Sequence, residues 1–314
     1  MIDRLKTIAK WGWTLAILAI VVWFCVTRWE MIVKTMSLLS IEMLVLATIC
    51  IILAKLGLTM TMRTAAVGAG VPLTFKEAYW IYNMTQLAKY VPGSIWQLVG
   101  RVVILKRRGA AVSAIRDAIL SEHAWVVSTA SIMAVALIFI AKPMFFLELS
   151  NNVGFSEAHW LWALLGLVAV VILGVAAVFR NRLLPWLWKL KPSGPALVVL
   201  ALTWVLMGMS YWVTLAPFSS APIPWYYAVG VYCLAYVAGF LVPFAPAGLG
   251  VREVILTFAL VPFIPSEVAI LLASINRVLY FVAELILVAP CLFWERPDAQ
   301  AAQVVQEAEA SEVI

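Results

Sequence analysis

Charge is scarce in this sequence. Asp, Glu, Lys and Arg make up 12% of the 314 residues, about half the share usual in soluble domains, so an ordinary soluble fold is excluded. Cysteine and histidine are scarcer still, at four and two. Cys25, Cys50, Cys233 and Cys291 stand singly in or beside apolar runs, with no CxxC pair and no neighbouring histidine. Neither a disulfide framework nor a metal centre is expected from them. No nucleotide-binding loop, zinc motif, nucleophile elbow or paired-carboxylate signature occurs, so no cofactor and no enzymatic activity are expected. The net charge of +6 calls for no nucleic acid, because most basic residues sit where membrane orientation signals sit.

What remains is hydrophobic, 65% of the chain, in several stretches near the ~20 residues that cross a ~30 Å hydrocarbon core as a helix. The sequence therefore reads as an all-α polytopic membrane protein. A first span is expected at residues 11–26, preceded by Arg4, Lys6 and Lys10 and so starting in the cytoplasm. No small-residue cleavage site follows it, which argues against a signal peptide. A second span is expected at 37–55, then a surface-lying stretch from Lys55 to Lys76 that looks too polar to cross. Further spans are read at 113–141, 159–179, 195–216 and 267–293, giving about six transmembrane helices, with 295–314 as a disordered cytoplasmic tail. The whole of 1–294 forms one transmembrane domain, with halves at about 37–141 and 195–293.

One short phrase occurs twice. At a single offset, Val91-Pro92 lies on Val242-Pro243, and the run Arg101 to Leu105 lies on Arg252 to Leu256. Each copy joins helix-breaking residues to an arginine in apolar surroundings. Loop charges place both flanks of the first copy in the cytoplasm and both flanks of the second outside. The expectation is two re-entrant helical hairpins of opposite orientation in an inverted repeat. The rival reading has residues 225–242 cross completely and leaves the C-terminus outside.

Broken helix at membrane depth survives only where protein or a water-filled cavity satisfies the backbone. Paired breaks in two halves point to a transporter binding site. Arg101 and Arg252 are candidates for holding a phosphate through their guanidinium forks, with anchoring to lipid headgroups as the alternative. Lys89, Trp96 and Gln97 flank the first break and are candidate lining residues. Arg277 lies well inside the last span, on one stripe with Tyr280 and Glu284, and is assigned with Arg101 and Arg252 to hold the phosphate. A mid-span charge costs on the order of 3 kcal/mol, so it is expected to face a cavity or a counter-charge such as Glu122 or Glu253. Glu122 and Glu253 are assigned as counter-charges that keep the empty cavity neutral; for Glu253 a simple helix-start role is the alternative. His123 is read as a satisfied polar residue.

These phrases resemble the transmembrane family of lysylphosphatidylglycerol synthase/flippase domains. The resemblance rests on Lys89, Tyr90, Val91, Pro92, Gly93, Trp96, Gly100 and Arg101, on Glu122, on Pro246, Gly248, Leu249, Gly250, Val251 and Glu253, and on Arg277. It implies a helical domain of a bacterial inner-membrane protein that binds or moves a lipid headgroup, either a phospholipid or a polyprenyl-phosphate-linked glycan. Pro246-Ala247-Gly248 replaces the Pro-Gly-Gly run common in the family. No soluble aminoacyl-transfer domain follows, so lipid lysylation is not expected. The alternative function is a non-transporting accessory subunit whose partner is a glycosyltransferase or a lipid-modifying enzyme.

Overall fold

A computed structural model describes residues 26, 29–90, 96–143, 192–219, 222–242 and 248–294. The expected spans at 11–26 and 159–179, the tail, and the breaks at Pro92-Gly93 and Pro243 to Ala247 lie outside the described residues, apart from Val26. Everything described is helix and turn. The helices are α1 (Trp29–Leu38), α2 (Ile41–Gly68), α3 (Phe75–Gln86), α4 (Trp96–Arg107), α5 (Val112–Ala141), α6 (Gly194–Leu215), α7 (Trp225–Leu241), α8 (Val251–Leu260) and α9 (Ser266–Val288). Short 3-10 turns extend α3 to Tyr90, α6 to Phe218 and α9 to Phe293.

Four of these, α2, α5, α6 and α9, are long and apolar enough to cross a membrane. At 28 and 30 residues, α2 and α5 are about 42 and 45 Å long, more than a ~30 Å core requires. Their outer faces carry unpartnered apolar side chains, such as Ile132, Val135 and Phe139 on α5 and Val278 and Leu285 on α9, as a lipid-facing surface does. α7 is shorter, 17 residues or about 26 Å. α8 has 10 residues.

The second span corrects the sequence reading. Lys55 does not end it: α2 starts on its Ser40 cap, whose side chain accepts from Met43 N at 3.3 Å, and runs on to Gly68. The polar residues that suggested a surface stretch are satisfied within the helix. Thr59, Thr61 and Thr64 donate to the carbonyls of Lys55, Gly57 and Met60 at 2.9–3.0 Å. Arg63 Nε donates to Leu73 O at 2.8 Å, and Lys55 finds a buried carboxylate described below.

Long helix, two short helices, long helix is an order that occurs twice, as α2–α5 and as α6–α9. The offset that lays Arg101 on Arg252 also overlays the four helices of each set. The halves interlock by exchange. α3 runs antiparallel to α9, with Tyr79 OH donating to Leu287 O at 2.8 Å, Trp80 Nε1 to Cys291 O at 3.0 Å, and Tyr90 edge-on to Phe281. α7 runs antiparallel to α5, from Gly230 against Ile138 to Phe240 beside His123. α4 starts beside the middle of α5 and returns to its N-terminus, where Gly109, at φ +81°, ends it and lets Ala110 N bond back to Leu105 O at 3.1 Å. The broken ends of α3–α4 and of α7–α8 thus approach α5 from its opposite ends.

Small residues permit the central crossings. A Cβ on Gly57 of α2 meets Thr203 Oγ1 of α6 at 2.2 Å, and one on Gly208 of α6 meets Val229 Cα of α7 at 2.4 Å. Between apolar helices in lipid, packing of this kind stands in for a hydrophobic driving force.

Candidate functional site

Where the broken ends meet, the described residues line a cavity of about 300 Å³. Its walls come from the middles of α2, α5 and α9 and from the ends of α3, α4, α7 and α8 that flank the two breaks.

On the wall nearest the first break the arginine is paired. Arg101, 2% exposed, donates from Nη1 to both oxygens of Glu122, at 2.6 and 2.8 Å. Its guanidinium lies 4.8 Å over the Tyr82 ring, and Nε reaches Thr85 Oγ1 at 3.4 Å. The pair is held because the Gly109 turn folds α4 back on α5. Glu122 is thus the carboxylate that faces Arg101.

A second cluster links α2, the end of α3 and α9. Lys55 Nζ donates to Glu284 Oε1 at 2.6 Å, and Lys89 Nζ donates to the same oxygen. Lys55 is fully buried and Glu284 is 1% exposed. Both ammonium groups lie over the Tyr280 ring, at 4.5 and 4.6 Å, where its negative face offsets part of the repulsion between them. One carboxylate thus carries two cations.

The second arginine of the repeat is held differently. Arg252 has no carboxylate partner in any described ion pair. Its guanidinium rests 4.6 Å from the Tyr236 ring, and Nε is buried without an acceptor. Tyr236 stands at the repeat offset from Thr85, so each arginine leans on the same position of its own half. Gly239 and Gly248 make the bed. A Cβ on Gly239 approaches Arg252 Cγ to 2.8 Å, and one on Gly248, at φ +72°, approaches Nε to 3.1 Å. Beyond it, Arg277 Nε lies 3.5 Å from Glu253 Oε1, while Glu253 Oε2 accepts from Gly250 N at 2.7 Å. Glu253 serves both roles considered for it, helix-start cap and counter-charge.

Of the eight residues singled out from sequence, Lys89, Gln97, Arg101, Glu122, Arg252 and Arg277 line the cavity. Gln97 Oε1 is buried there without a donor. Trp96 does not line it; one residue turns about 100° around a helix, and Trp96 is 46% exposed on the outer side of α4. Glu253 stands behind Arg277. Sequence reasoning missed Lys55, Tyr82, Gln86 and Tyr236. Lys55 had a signal, a lysine inside an apolar run, but its partner is 229 residues away. His123 lines the cavity and also bonds Ile119 O through Nδ1 at 2.8 Å, the satisfied role expected of it. Asn276 is likewise structural, donating to Ser210 Oγ at 3.3 Å.

The expected neutrality does not hold among the described residues. Lys55, Lys89, Arg101, Arg252 and Arg277 face Glu122, Glu253 and Glu284 in and directly behind the cavity wall, a formal surplus of two positive charges. At the mouth of α3–α4, well away from this centre, Glu77 closes a capping box with Thr74 and pairs with Arg108 at 2.5 Å. Burial pushes its carboxyl up, but the Thr74 hydrogen bonds and Arg108 outweigh burial and hold it below the ordinary value of 4.5.

A charged chamber among long apolar helices defines a multi-pass membrane protein with a polar centre. Residues 11–287 match the family described as the lysylphosphatidylglycerol synthase TM region. The chain belongs to that family. Comparison with curated proteins returns no significant match.

Proposed function

We propose that this protein binds an anionic lipid headgroup in the central cavity and carries it across the bilayer, as a flippase-like protein of the bacterial inner membrane. The observation that supports this most is Arg252: a cation at the meeting point of two interrupted helix pairs, bedded on glycines, with no carboxylate partner among the described residues. An uncompensated charge in apolar surroundings is expensive. A phosphate arriving with its own negative charge removes that cost, and a guanidinium matches its oxygens.

In this reading α3–α4 and α7–α8 are re-entrant hairpins entering from opposite membrane faces, and the two halves form an inverted repeat. The antiparallel packing of α3 on α9 and of α7 on α5 supports it. Arg101, already paired with Glu122, sets the chamber wall; Arg252, with Lys89 and Arg277, contacts the headgroup. Rocking of one half against the other then opens the same site to each leaflet in turn. The lipid is a phospholipid or a polyprenyl-phosphate-linked glycan, of which a cavity of about 300 Å³ accepts the phosphate end.

The test is reconstitution into vesicles with a labelled anionic lipid. Protein-dependent movement that falls at least about tenfold in Arg252→Gln, with the folded protein retained, supports the proposal. Full movement in the variant removes the site from the pathway. Absence of movement with every lipid, together with stable co-purification of a glycosyltransferase or lipid-modifying enzyme, favours the accessory role.

A further inference from the structure

The charge distribution around the cavity points to a ligand carrying two negative charges, such as a phosphomonoester or a diphosphate, rather than a singly charged phosphodiester. We infer this from where the surplus sits; the inference rests on the anionic-lipid reading above and names its substrate class. The two unmatched positive charges lie in different walls. One belongs to the Lys55–Lys89 pair, which shares a single oxygen of Glu284. The other is Arg252, held by Tyr236 and two glycines but, among the described residues, by no carboxylate.

Neither surplus is absorbed among the described residues. Glu122 already has both oxygens on Arg101, and Glu253 is divided between Arg277 and the start of α8. The adjoining segments 91–95 and 243–247 contain no charged residue, so the breaks themselves supply no carboxylate. In surroundings this apolar, a ligand that neutralises one wall leaves the other charge exposed to the same penalty. A ligand with two charges answers both, and Lys89 at the end of α3 can leave Glu284 for it while Lys55 stays behind. Size agrees with this: a cavity of about 300 Å³ has room for one or two phosphate groups.

The experiment uses the full-length protein in nanodiscs of zwitterionic lipid at pH 8, titrated with lipids of identical tails bearing a phosphomonoester, a diphosphate or a glycerol phosphodiester. The expected result is dissociation constants at least about tenfold lower for the first two than for the phosphodiester, a factor that corresponds to about 1.4 kcal/mol. That preference disappears in Lys89→Gln and in Arg252→Gln, and persists in Lys89→Arg and Arg252→Lys, which keep the charge. Inorganic pyrophosphate then distinguishes the source: it displaces the bound lipid if the phosphates alone are recognised and does not if the lipid attachment is required, and either outcome keeps the two-charge assignment. Equal affinity for singly and doubly charged lipids overturns the inference while leaving anionic-lipid binding intact. Failure of every anionic lipid to bind overturns the underlying reading and the inference together.

Discussion

Removing Glu284 should cost far more than removing Lys55, although the two are partners. Glu284→Gln leaves Lys55 and Lys89 over one Tyr280 ring with no carboxylate between them. At 2.6 Å the gross attraction of the Lys55–Glu284 pair is about 6 kcal/mol at an effective dielectric of about 20. Most of that is offset by desolvation, and the measured cost of breaking a buried pair is about 3–5 kcal/mol. Lys55→Met instead leaves Glu284 neutralised by Lys89, with a long apolar side chain in the space of the lysine stem. Its expected cost is under about 1.5 kcal/mol, the range of volume-conserving core changes. The double variant leaves a single cation and no carboxylate, with the repulsion between the two ammonium groups gone, so its cost should fall well below the sum of the singles, with a coupling of about 2 kcal/mol. Unfolding of the purified protein in detergent micelles, wild type against the three variants, measures the cycle. Additivity within about 0.5 kcal/mol, or a Lys55→Met cost equal to that of Glu284→Gln, refutes the shared-carboxylate arrangement.

Three further outcomes follow from other parts of the molecule. Gly57→Ala, whose Cβ meets Thr203 Oγ1 at 2.2 Å, should destabilise the protein by about 1–3 kcal/mol, whereas Gly68→Ala, with nothing within 4 Å, should be neutral or slightly stabilising in the same unfolding assay. Gly248→Ala places a side chain at φ +72° against Arg252; it should cost about 1–2 kcal/mol in backbone strain and reduce headgroup binding without touching the Arg101–Glu122 pair, as lipid titration beside unfolding will show. For Glu77, a carboxyl held below 4.5 in the folded state contributes its full stability above that pH and loses it as pH falls through the lower folded value. The difference in thermal midpoint between wild type and Glu77→Gln should therefore be present at pH 7 and shrink steadily below pH 4.5.

Much of this architecture is legible in the sequence because membrane helices announce themselves by length and composition, and because breakers and charges stand out in apolar sequence. The helices read at 113–141, 195–216, 225–242 and 251–261 agree with α5 to α8 within a residue or two. What misled was Lys55. A lysine followed by threonines and an arginine reads as the end of a span until Glu284 and the threonine back-bonds are known. The partnership of Arg101 with Glu122 was also hidden: both stood out as charges, but only the Gly109 turn brings them face to face. Trp96 failed for a simpler reason, since sequence proximity to a break does not say which side of the helix faces inward. The surplus charge was illegible because it is a sum over six helices that no single motif contains.

The most direct measurement of the central claim is protection of a thiol placed in the chamber. In a chain with its native cysteines replaced by alanine, Gln97→Cys is exposed in sealed vesicles to a small, membrane-impermeant, negatively charged thiol reagent. Modification should be slowed at least about fivefold by an anionic lipid, unaffected by a zwitterionic one, and no longer protected when Arg252 is changed to Gln. A modification rate that no anionic lipid alters, in protein that still folds, contradicts the claim.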